Sequence, residues 1–560
     1  MNESFRLRTV IVFLFFCTLL TIAFTHLFYL QIRQHTYFVQ LAEKQYSMPL
    51  VHYPPRALIT DRHGNVLATN KLCKSAFVTP NALKNKSTLY SFLRIHFPEA
   101  YDRLLKKMHV PFLFIKRRLS PEEIDLFTSA QLEDLFLLDE PNRLYPHHSC
   151  GCIVGITDID NKGLFGIERQ YNEYLAGTPS TYLLERDARS GHYYFSKQTT
   201  SEGSVGSPVT LTIDSHLQFL VQEELEAQME KFHSKEGAVV IMDPETGDVY
   251  AMASAPMFDP HETTALDQTA THNRSITDCY EFGSALKAFS ALAALAEGVV
   301  TPDEEIDCED TKTTLFEGRT INTVYPDGIV TFSRVIERSN NIGIAKVTKR
   351  LGPKLYDHYV RLGFGKKTGL GLAGEQSGFV NHPDNWSKQS LISLSYGYEI
   401  TTTLMQIVRA FSVFCNGGYL VQPHIVLNPL AQQKKSDQLY AQETLDTMRT
   451  ILEKTVSQEG SGKYAAIKGY RVMGKTSTAN LLVDGHYDPN KNFFGFIGAV
   501  EKGSYKRVVG CFLKESSKHG IYAATTAAPL FRKVVEKILI HDKIIEGDLD
   551  ESSYSCNSSS

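Results

Sequence analysis

The stretch Met473-Gly-Lys-Thr-Ser-Thr-Ala-Asn480 contains the last of three short motifs that together decide the interpretation of this chain. The first motif is Ser284-Ala-Leu-Lys287, the second is Ser339-Asn-Asn341, and the third is Lys475-Thr-Ser477. A serine one helical turn before a lysine, then Ser-x-Asn, then Lys-Thr and a small residue is a set with one known chemistry, serine acyl transfer without histidine. Each motif alone is weak, but the ordered set predicts an acyl-transfer enzyme.

The third motif is predicted to lie on the edge strand of a sheet. The β-prone residues Tyr470-Arg-Val472 lead into it, and two further β runs follow at residues 492–500 and 504–515. An edge strand can pair with an extended peptide, and its backbone N–H can face a developing oxyanion. A more literal Lys-Thr-Gly at residues 367–369 is rejected, because it sits in a glycine-dense loop.

Each polar residue of the motifs has a predicted role. Lys287, three residues after Ser284, shares its helix face and can take the serine proton if burial and nearby positive charge lower its pKa. Ser339 would relay that proton to an amine, and Asn341 would hydrogen-bond a substrate amide. Lys475 would supply positive charge. Two further hydroxyl residues would bind a substrate carboxylate, namely Thr476 and Ser477.

Each motif also has a purely structural interpretation. Ser284 could cap a helix with Lys287 on the surface, residues 339–341 could be a turn between helices, and residues 475–477 could be an ordinary exposed strand or turn. The apolar neighbours Leu286 and Phe289 argue against a surface helix for the first motif, because such a helix would carry more charge.

The composition is that of a folded protein without a nucleic-acid footprint. The 560 residues suggest two or three domains, and 42% hydrophobic with 21% charged residues is ordinary. The net charge of -4 does not indicate a nucleic-acid partner. The nine cysteines are scattered, and neither they nor the histidines show metal-site spacing. We therefore expect no metal and no organic cofactor.

Residues Val10–Leu30 are predicted to cross a membrane. These 21 residues contain no Asp, Glu, Lys or Arg, and as a helix they would span about 32 Å against a hydrocarbon core of about 30 Å. Arg6 and Arg8 precede the segment, which favours a cytoplasmic N-terminus at residues 1–9. The alternative is a cleaved signal peptide, but the apolar run has no small-residue cleavage site. We expect an uncleaved single-pass anchor, with nearly all of the chain outside the cytoplasm.

Three further regions are predicted after the anchor. Residues 31–205 mix short β-like runs with polar turns and carry no catalytic constellation, so we expect a spacer or interaction domain. Residues 206–546 should form a domain whose single sheet is assembled from distant parts of the chain. Within it, Asp214 is predicted to cap a helix at residues 215–232. The tail at residues 547–560 is acidic and Ser-rich, and we expect it to be disordered.

The chain resembles class B penicillin-binding proteins, the membrane-anchored transpeptidases of bacterial cell-wall synthesis. The resemblance covers most of residues 6–540. Beyond the three motifs, it rests on Leu211-Thr-Ile-Asp214, Met242-Asp-Pro-Glu-Thr-Gly247, Ala251-Met-Ala-Ser254, Gly363-Phe-Gly365, Tyr396-Gly-Tyr398 and Asn416-Gly-Gly418. Arg56 with Asp61-Arg62 resembles that family's pedestal signature, and Gly166-Ile-Glu168 resembles a pedestal stretch of its division-specific (FtsI-like) branch.

This resemblance implies the fold class. We expect an α+β protein with a penicillin-binding/serine β-lactamase-like transpeptidase domain, in which an antiparallel sheet has helices on both faces. The transmembrane helix and a mainly β pedestal domain of the dimerisation type would precede it.

The resemblance also implies a function, a peptidoglycan D,D-transpeptidase that cross-links stem peptides through a Ser284 acyl-enzyme in septal cell-wall synthesis. The backbone N–H groups of Ser284 and Thr478 would bind the oxyanion, and β-lactams would acylate the same serine. The implied location is the bacterial inner membrane at the division site, with the bulk of the chain periplasmic. Implied partners are stem peptides, β-lactams, a glycan polymerase and other division proteins.

Four positions depart from the family pattern. Ala57 and Glu399 stand where glycine is usual, and Phe282 replaces a common proline before Gly283. Ser477 replaces the glycine of Lys-Thr-Gly, which normally lets a ligand approach the strand closely. This last change bears on β-lactam affinity and deacylation more than on the basic reaction.

Two alternatives to transpeptidation stay open from the sequence. The first is hydrolytic, a D,D-carboxypeptidase or a β-lactam hydrolase, although a long pedestal is rarely needed by a free hydrolase. The second is a β-lactam sensor or a non-catalytic division scaffold. A sensor would need a signalling module larger than the few residues before the anchor, and a scaffold would keep its role when Ser284 is replaced.

Overall fold

The computed structural model describes residues 3–110, 112–186, 193–257, 259–260, 269–427, 436–483, 485–517 and 521–544. The predicted disordered tail at 547–560 lies outside them. The α-helices are α1 (Glu3–Phe28), α2 (His35–Tyr46), α3 (Lys86–His96), α4 (Pro98–Lys106), α5 (Pro121–Ser129), α6 (Gly151–Val154), α7 (Gly166–Gln170), α8 (Asn172–Ala176), α9 (Ser215–Phe232), α10 (Arg274–Thr277), α11 (Lys287–Ala296), α12 (Phe332–Glu337), α13 (Asn341–Leu351), α14 (Lys354–Arg361), α15 (Ser390–Ser395), α16 (Leu404–Phe411), α17 (Gln442–Lys454) and α18 (Ala527–His541). The strands are β1 (Ser47–His52), β2 (Ile59–Thr60), β3 (Val66–Val78), β4 (Leu113–Lys116), β5 (Leu135–Leu144), β6 (Ser180–Arg186), β7 (Tyr193–Ser201), β8 (Val209–Thr210), β9 (Glu236–Met242), β10 (Val249–Ala255), β11 (Glu305–Asp307), β12 (Thr313–Phe316), β13 (Arg319–Asn322), β14 (Ile329–Thr331), β15 (Phe379–Val380), β16 (Ile400–Thr401), β17 (Arg471–Val483), β18 (His486–Lys502) and β19 (Tyr505–Lys514).

The chain forms two compact units, of which the first comprises residues 1–55 and 176–206. It contains α1, α2 and an antiparallel sheet in the order β1–β6–β7. The helical segment Phe5–Arg33 contains an 18-residue window with a mean hydropathy of 2.4, and among the described residues it is the one helical segment long and apolar enough to cross a membrane. The predicted span at residues 10–30 lies within it.

The second unit comprises residues 56–175 and 207–560. Its N-terminal part is a sheet in the order β4–β3–β2–β8, with β5 also paired to β3. Three helices that the sequence interpretation did not place, α3, α4 and α5, share a separate apolar core with this sheet through Leu89, Leu104 and Phe127. We call this region of the second unit, residues 56–175 with β8, the pedestal part. It contains a helical layer as well as the predicted strands.

A buried ion triad joins distant segments of this pedestal part. Glu168 is fully buried and accepts from Arg56 Nε at 2.5 Å and from Arg143 Nε at 2.7 Å. The two arginines also donate to backbone carbonyls, Arg56 to Glu168 and Arg143 to Arg56. Arg56 and Glu168, which belong to the two pedestal signatures seen in the sequence, are thus direct partners.

The C-terminal part contains the predicted composite sheet. Its order is β10–β9–β19–β18–β17, all neighbours are antiparallel, and β17 lies at the edge. Asp214 caps α9 by accepting from the N–H groups of His216 and Leu217, so the helix begins at the predicted residue. The closing helix α18 follows the last strand.

Helices cover both faces of this sheet, because side chains alternate along each strand. On β9, Val239 and Ile241 share one core with residues of α9 and α18. Their neighbours Val240 and Met242 share the opposite core with residues of α11 and α16. The predicted arrangement, an antiparallel sheet between two helical layers, is confirmed.

Candidate active site

Ser284 lies on a short 3-10 turn, Gly283–Leu286, which we call the serine turn and which continues directly into α11. The turn packs against the edge strand β17. A Cβ added at Gly283 would stand 3.3 Å from Ala479 Cβ and 3.5 Å from the Thr478 carbonyl oxygen. Ser284 itself is half-buried.

Lys287 begins α11 and is fully buried. Its Nζ donates to the Ser339 carbonyl oxygen at 2.6 Å and to Ser339 Oγ at 3.1 Å. Burial lowers the pKa of Lys287 well below its ordinary value, and the positive charge of Lys475 lowers it further. The structure therefore joins the first and second motifs through an amine that is readily neutral.

The Ser284 hydroxyl itself makes no hydrogen bond with any other described residue. Within the described chain, Lys287 donates to Ser339 rather than to Ser284. Catalytic hydrogen bonds are often long or unmade before substrate binds and tighten only in the reacting complex. The Ser284 hydroxyl lies one helical turn before a lysine whose pKa is lowered. This arrangement is compatible with proton transfer from Ser284 to Lys287 once substrate fills the site.

The second motif is a tight connection between α12 and α13. Ser339 adopts a left-handed backbone with φ of 61°, which is uncommon for a residue other than glycine and marks a strained position. Asn340 caps α13, accepting from the N–H groups of Ile342 and Gly343. Asn341 Nδ2 donates to the Asn322 carbonyl at 2.6 Å, and Asn341 Oδ1 is buried without a partner among the described residues.

The sequence did not predict that Asn340 and Asp327 position this motif. Asn340 is fully buried and its Nδ2 donates to Asp327 at 2.8 Å, while Arg338 pairs with the same carboxylate at 3.1 Å. The capping role of Asn340 was visible in principle, since Asn before a helix is a standard N-cap. The contact with Asp327 was not, because it depends on how the loop after β13 returns to the motif.

Lys475 lies on β17 and is fully buried. Its Nζ has no hydrogen-bond partner in the described part of the chain, and burial lowers its pKa to about 7. A buried ammonium without a partner is costly, so this position is suited to bind an anionic group that enters the site. It is also close enough to Lys287 to influence that lysine's pKa.

The hydroxyl residues after Lys475 differ in orientation. Thr476 Oγ1 donates to Ser461 Oγ at 3.4 Å, and Thr478 Oγ1 accepts from the Ala523 N–H at 3.0 Å. Ser477 is fully buried and its hydroxyl donates to the Phe282 carbonyl, so it is directed at the serine turn. The Ser477 hydroxyl is thus engaged with the turn rather than free for the carboxylate contact predicted for it.

The backbone of Thr478 faces the serine turn. Its carbonyl oxygen is 3.5 Å from the Cβ position of Gly283. In an antiparallel strand the N–H and C=O of one residue point to the same side. The Thr478 N–H therefore also points toward the turn that carries Ser284.

The rival Lys-Thr-Gly at residues 367–369 has a structural role. It lies in a loop rather than on a strand. The buried Thr368 donates to Glu375 from its backbone N–H at 2.6 Å and also from its hydroxyl. The loop position on which the rejection of this motif was based is confirmed.

Two domain families match the chain. The penicillin binding protein transpeptidase domain matches residues 237–536, more than half of the chain, and the penicillin-binding protein dimerisation domain matches residues 51–211. The sheet, its two helical layers and the three converging motifs define a penicillin-binding transpeptidase fold. The chain belongs to the penicillin-binding protein transpeptidase family, and its dimerisation domain and FtsI-like relatives place it in class B.

Individual relatives agree with this assignment. Stage V sporulation protein D of Bacillus subtilis is 29% identical, covering 96% of this chain and 86% of its own length. Peptidoglycan D,D-transpeptidase FtsI of Escherichia coli is 27% identical over 86% of this chain and 83% of its own. A crystal structure of penicillin binding protein 3 from Mycobacterium tuberculosis, complexed with aztreonam, has a TM-score of 0.67 at 23% identity, covering 89% of this chain and 98% of that one. It supports the fold.

Proposed function

We propose that this protein is a peptidoglycan D,D-transpeptidase that cross-links stem peptides in septal cell-wall synthesis. The observation that carries the proposal is the buried Lys287 amine, held on Ser339 one helical turn after Ser284 and close to Lys475. The FtsI name of the Escherichia coli relative supports the reaction and the septal role.

In the proposed first half-reaction, the Ser284 hydroxyl attacks the carbonyl carbon of a D-Ala-D-Ala peptide bond. Its proton passes to the neutral Lys287 amine. The N–H groups of Ser284 and Thr478 bind the resulting oxyanion, and loss of one such donor typically costs about 10²- to 10³-fold in rate. The C–N bond then breaks, Lys287 returns the proton to the leaving D-Ala amine through Ser339, and an ester remains on Ser284.

The second half-reaction reverses these roles with a different amine. An amino group from a neighbouring stem attacks the ester carbonyl and gives its proton, through Ser339, to Lys287. The Ser284 oxygen leaves and recovers the proton from Lys287. The net change is one peptide bond exchanged for another. Asn341, whose buried oxygen has no partner among the described residues, would hydrogen-bond the substrate amide N–H and hold the reacting carbonyl in place.

Lys475 and Thr476 are proposed to bind the terminal carboxylate of the donor stem. Lys475 would supply the charge, and Thr476, the next residue on the edge strand, would supply a hydroxyl group. β-Lactams, which carry an acyl group and a carboxylate, would acylate Ser284 as mimics of the stem.

We also propose the domain organisation. Residues 1–9 would lie in the cytoplasm, 10–30 in the inner membrane, and 31–205 in a periplasmic pedestal that precedes the transpeptidase domain at 206–546. A separate glycan polymerase and other division proteins would act as partners at the division site.

The decisive experiment is labelling of the detergent-solubilised protein with a fluorescent penicillin, followed by mass spectrometry of the adduct. The wild type should carry a label on Ser284, and Ser284→Ala should carry none. Lys475→Ala should label at least tenfold more slowly, whereas Lys367→Ala, an exposed lysine in the rival motif, should match the wild type. Label on Ser284→Ala, or no label on the folded wild type, would overturn the proposal.

The same preparation separates transpeptidation from hydrolysis. A stable penicillin adduct and a cross-linked product from purified stem peptides support the transpeptidase. Rapid turnover of penicillin would instead identify a β-lactam hydrolase, and release of D-Ala without cross-linking would identify a D,D-carboxypeptidase. Rescue of a depleted strain by Ser284→Ala would identify a non-catalytic scaffold.

A further inference from the structure

Ser477 is a buried hydroxyl whose contact the proposed mechanism does not use. It lies on β17 with no exposed surface, and its hydroxyl donates to the Phe282 carbonyl, which immediately precedes the serine turn. The hydrogen bond thus connects the edge strand directly to the turn. Because both ends are buried, water does not compete for it, and a buried hydrogen bond that loses one partner leaves the other unsatisfied.

Both ends of this contact are held in place by their own neighbours. The residue opposite Ser477 on β18 is Gly495, and a Cβ there would stand 3.4 Å from Ser477 Cβ. A ring atom of Phe493 lies 3.2 Å from the same Cβ position, so Ser477, Gly495 and the Phe493 ring are closely packed. Phe282 is buried and packs edge-on against Phe493, with ring centroids 4.8 Å apart.

The position of the contact relates it to the proposed oxyanion donors. Ser477 immediately precedes Thr478, and Phe282 lies two residues before Ser284. The two N–H groups proposed to bind the oxyanion therefore belong to segments that this single hydrogen bond fastens together. Their separation must match one oxygen atom, since donors are effective only at about 2.7–3.1 Å from the oxyanion.

We propose that Ser477 is a positioning residue that clamps β17 to the serine turn and sets the spacing of the oxyanion site. This inference rests on the proposed acyl-transfer function. Ser477 acts through the backbone of Phe282 and does not touch substrate. Its hydroxyl group, rather than its volume, carries the effect.

The test measures acylation of the full-length protein in detergent by a fluorescent penicillin, with the first-order acylation rate and the encounter affinity determined separately. Ser477→Ala removes the hydroxyl and keeps the Cβ. Ser477→Thr keeps the hydroxyl and adds one methyl group. The matched control is Ser516→Ala, another buried serine that donates to a backbone carbonyl, that of Phe232 at the end of α9.

We expect Ser477→Ala to slow the first-order acylation step by about 10- to 100-fold, because small misplacements of catalytic groups have effects of this size. Its encounter affinity should change less than threefold, and Ser477→Thr and Ser516→Ala should acylate within about threefold of the wild type. A wild-type acylation rate in folded Ser477→Ala would overturn the clamp, as would equal slowing in Ser477→Ala and Ser477→Thr. Failure of the wild type to label at all would instead reject the proposed function.

Discussion

Two lysine side chains lie in the interior of the active-site region, where a charged ammonium group is costly. Lys287 and Lys475 are both fully buried, and burial lowers the pKa of each. Lys287 has the two oxygens of Ser339 as partners, whereas Lys475 has none in the described chain. This difference agrees with the roles that we propose, in which Lys287 transfers protons and Lys475 binds an anionic group.

The charge of Lys475 makes binding of an anionic ligand depend on pH. Its pKa of about 7 in the free protein means that it is half protonated near neutrality. A bound carboxylate raises that pKa, so above pH 7 binding must take up a proton. Affinity for N-acetyl-D-alanyl-D-alanine should therefore fall by up to tenfold per pH unit above pH 7, measured at equilibrium on Ser284→Ala to prevent turnover.

The control for this prediction is the same dipeptide with a C-terminal amide, which carries no charge. Its affinity should stay flat over the interval in which the acid loses affinity. If the affinities of the two ligands changed with pH in the same way, the charge of Lys475 would not be responsible for binding the carboxylate.

At the residue scale, the sequence predicted which residues lie near one another but not the direction of each side chain. Ser284, Lys287, Ser339 and Lys475 were identifiable from motif order, because the chemistry needs those residue types. The direction of Ser477 was not identifiable, since it depends on which face of β17 meets the serine turn. Only the register with β18 and the packing of Phe282 decide that face.

At the scale of elements, the serine turn is held between β17 and the loop that follows α15. Gly397, in that loop, approaches the turn so closely that a Cβ would stand 2.1 Å from the Gly283 carbonyl oxygen. A backbone atom at that distance cannot move aside without displacing the turn itself. The position also has φ of 89°, which favours glycine.

Gly397→Ala should therefore disrupt the site beyond the ordinary cost of an alanine at positive φ, about 1–2 kcal/mol. We expect the acylation rate with a fluorescent penicillin to fall at least 100-fold, because the turn that carries Ser284 must shift. The matched control is Gly371→Ala, where φ is 85° and no atom of the described residues, apart from the adjacent ones in the chain, lies within 4 Å of the added Cβ. Equal acylation rates in the two folded variants would contradict the prediction.

The elements themselves were predictable where local signals were strong. Asp214 marks the start of α9, and the β runs predicted at residues 492–500 and 504–515 correspond to the paired strands β18 and β19. The pedestal helix α5 was not predicted, although Ser120 and Glu123 form a capping box at its start, which is a recognisable sequence signal. By contrast, β8 pairs in parallel with β2, and no local pattern shows a partner 150 residues away.

At the scale of the whole molecule, the part of the second unit before α9 depends on a buried charge arrangement rather than on apolar packing alone. Glu168 is the shared partner of Arg56 and Arg143, and all three side chains are almost entirely buried. These residues come from three separate segments of the chain. Removal of the carboxylate charge would leave two buried guanidinium groups without it, which is more costly than the loss of an exposed ion pair.

Glu168→Gln should lower the local stability of the pedestal sheet by about 3–5 kcal/mol. Amide hydrogen exchange in β3 and β5 should then accelerate at least about a hundredfold, while β9 and β19 exchange as in the wild type. The control is Glu133→Gln, which breaks the exposed pair with Lys84 and should change exchange little. If Glu168→Gln left exchange in β3 unchanged, the triad would not be what holds this part of the protein together. If exchange accelerated equally in β9, the effect of the substitution would extend beyond the pedestal part to the sheet that carries the active site.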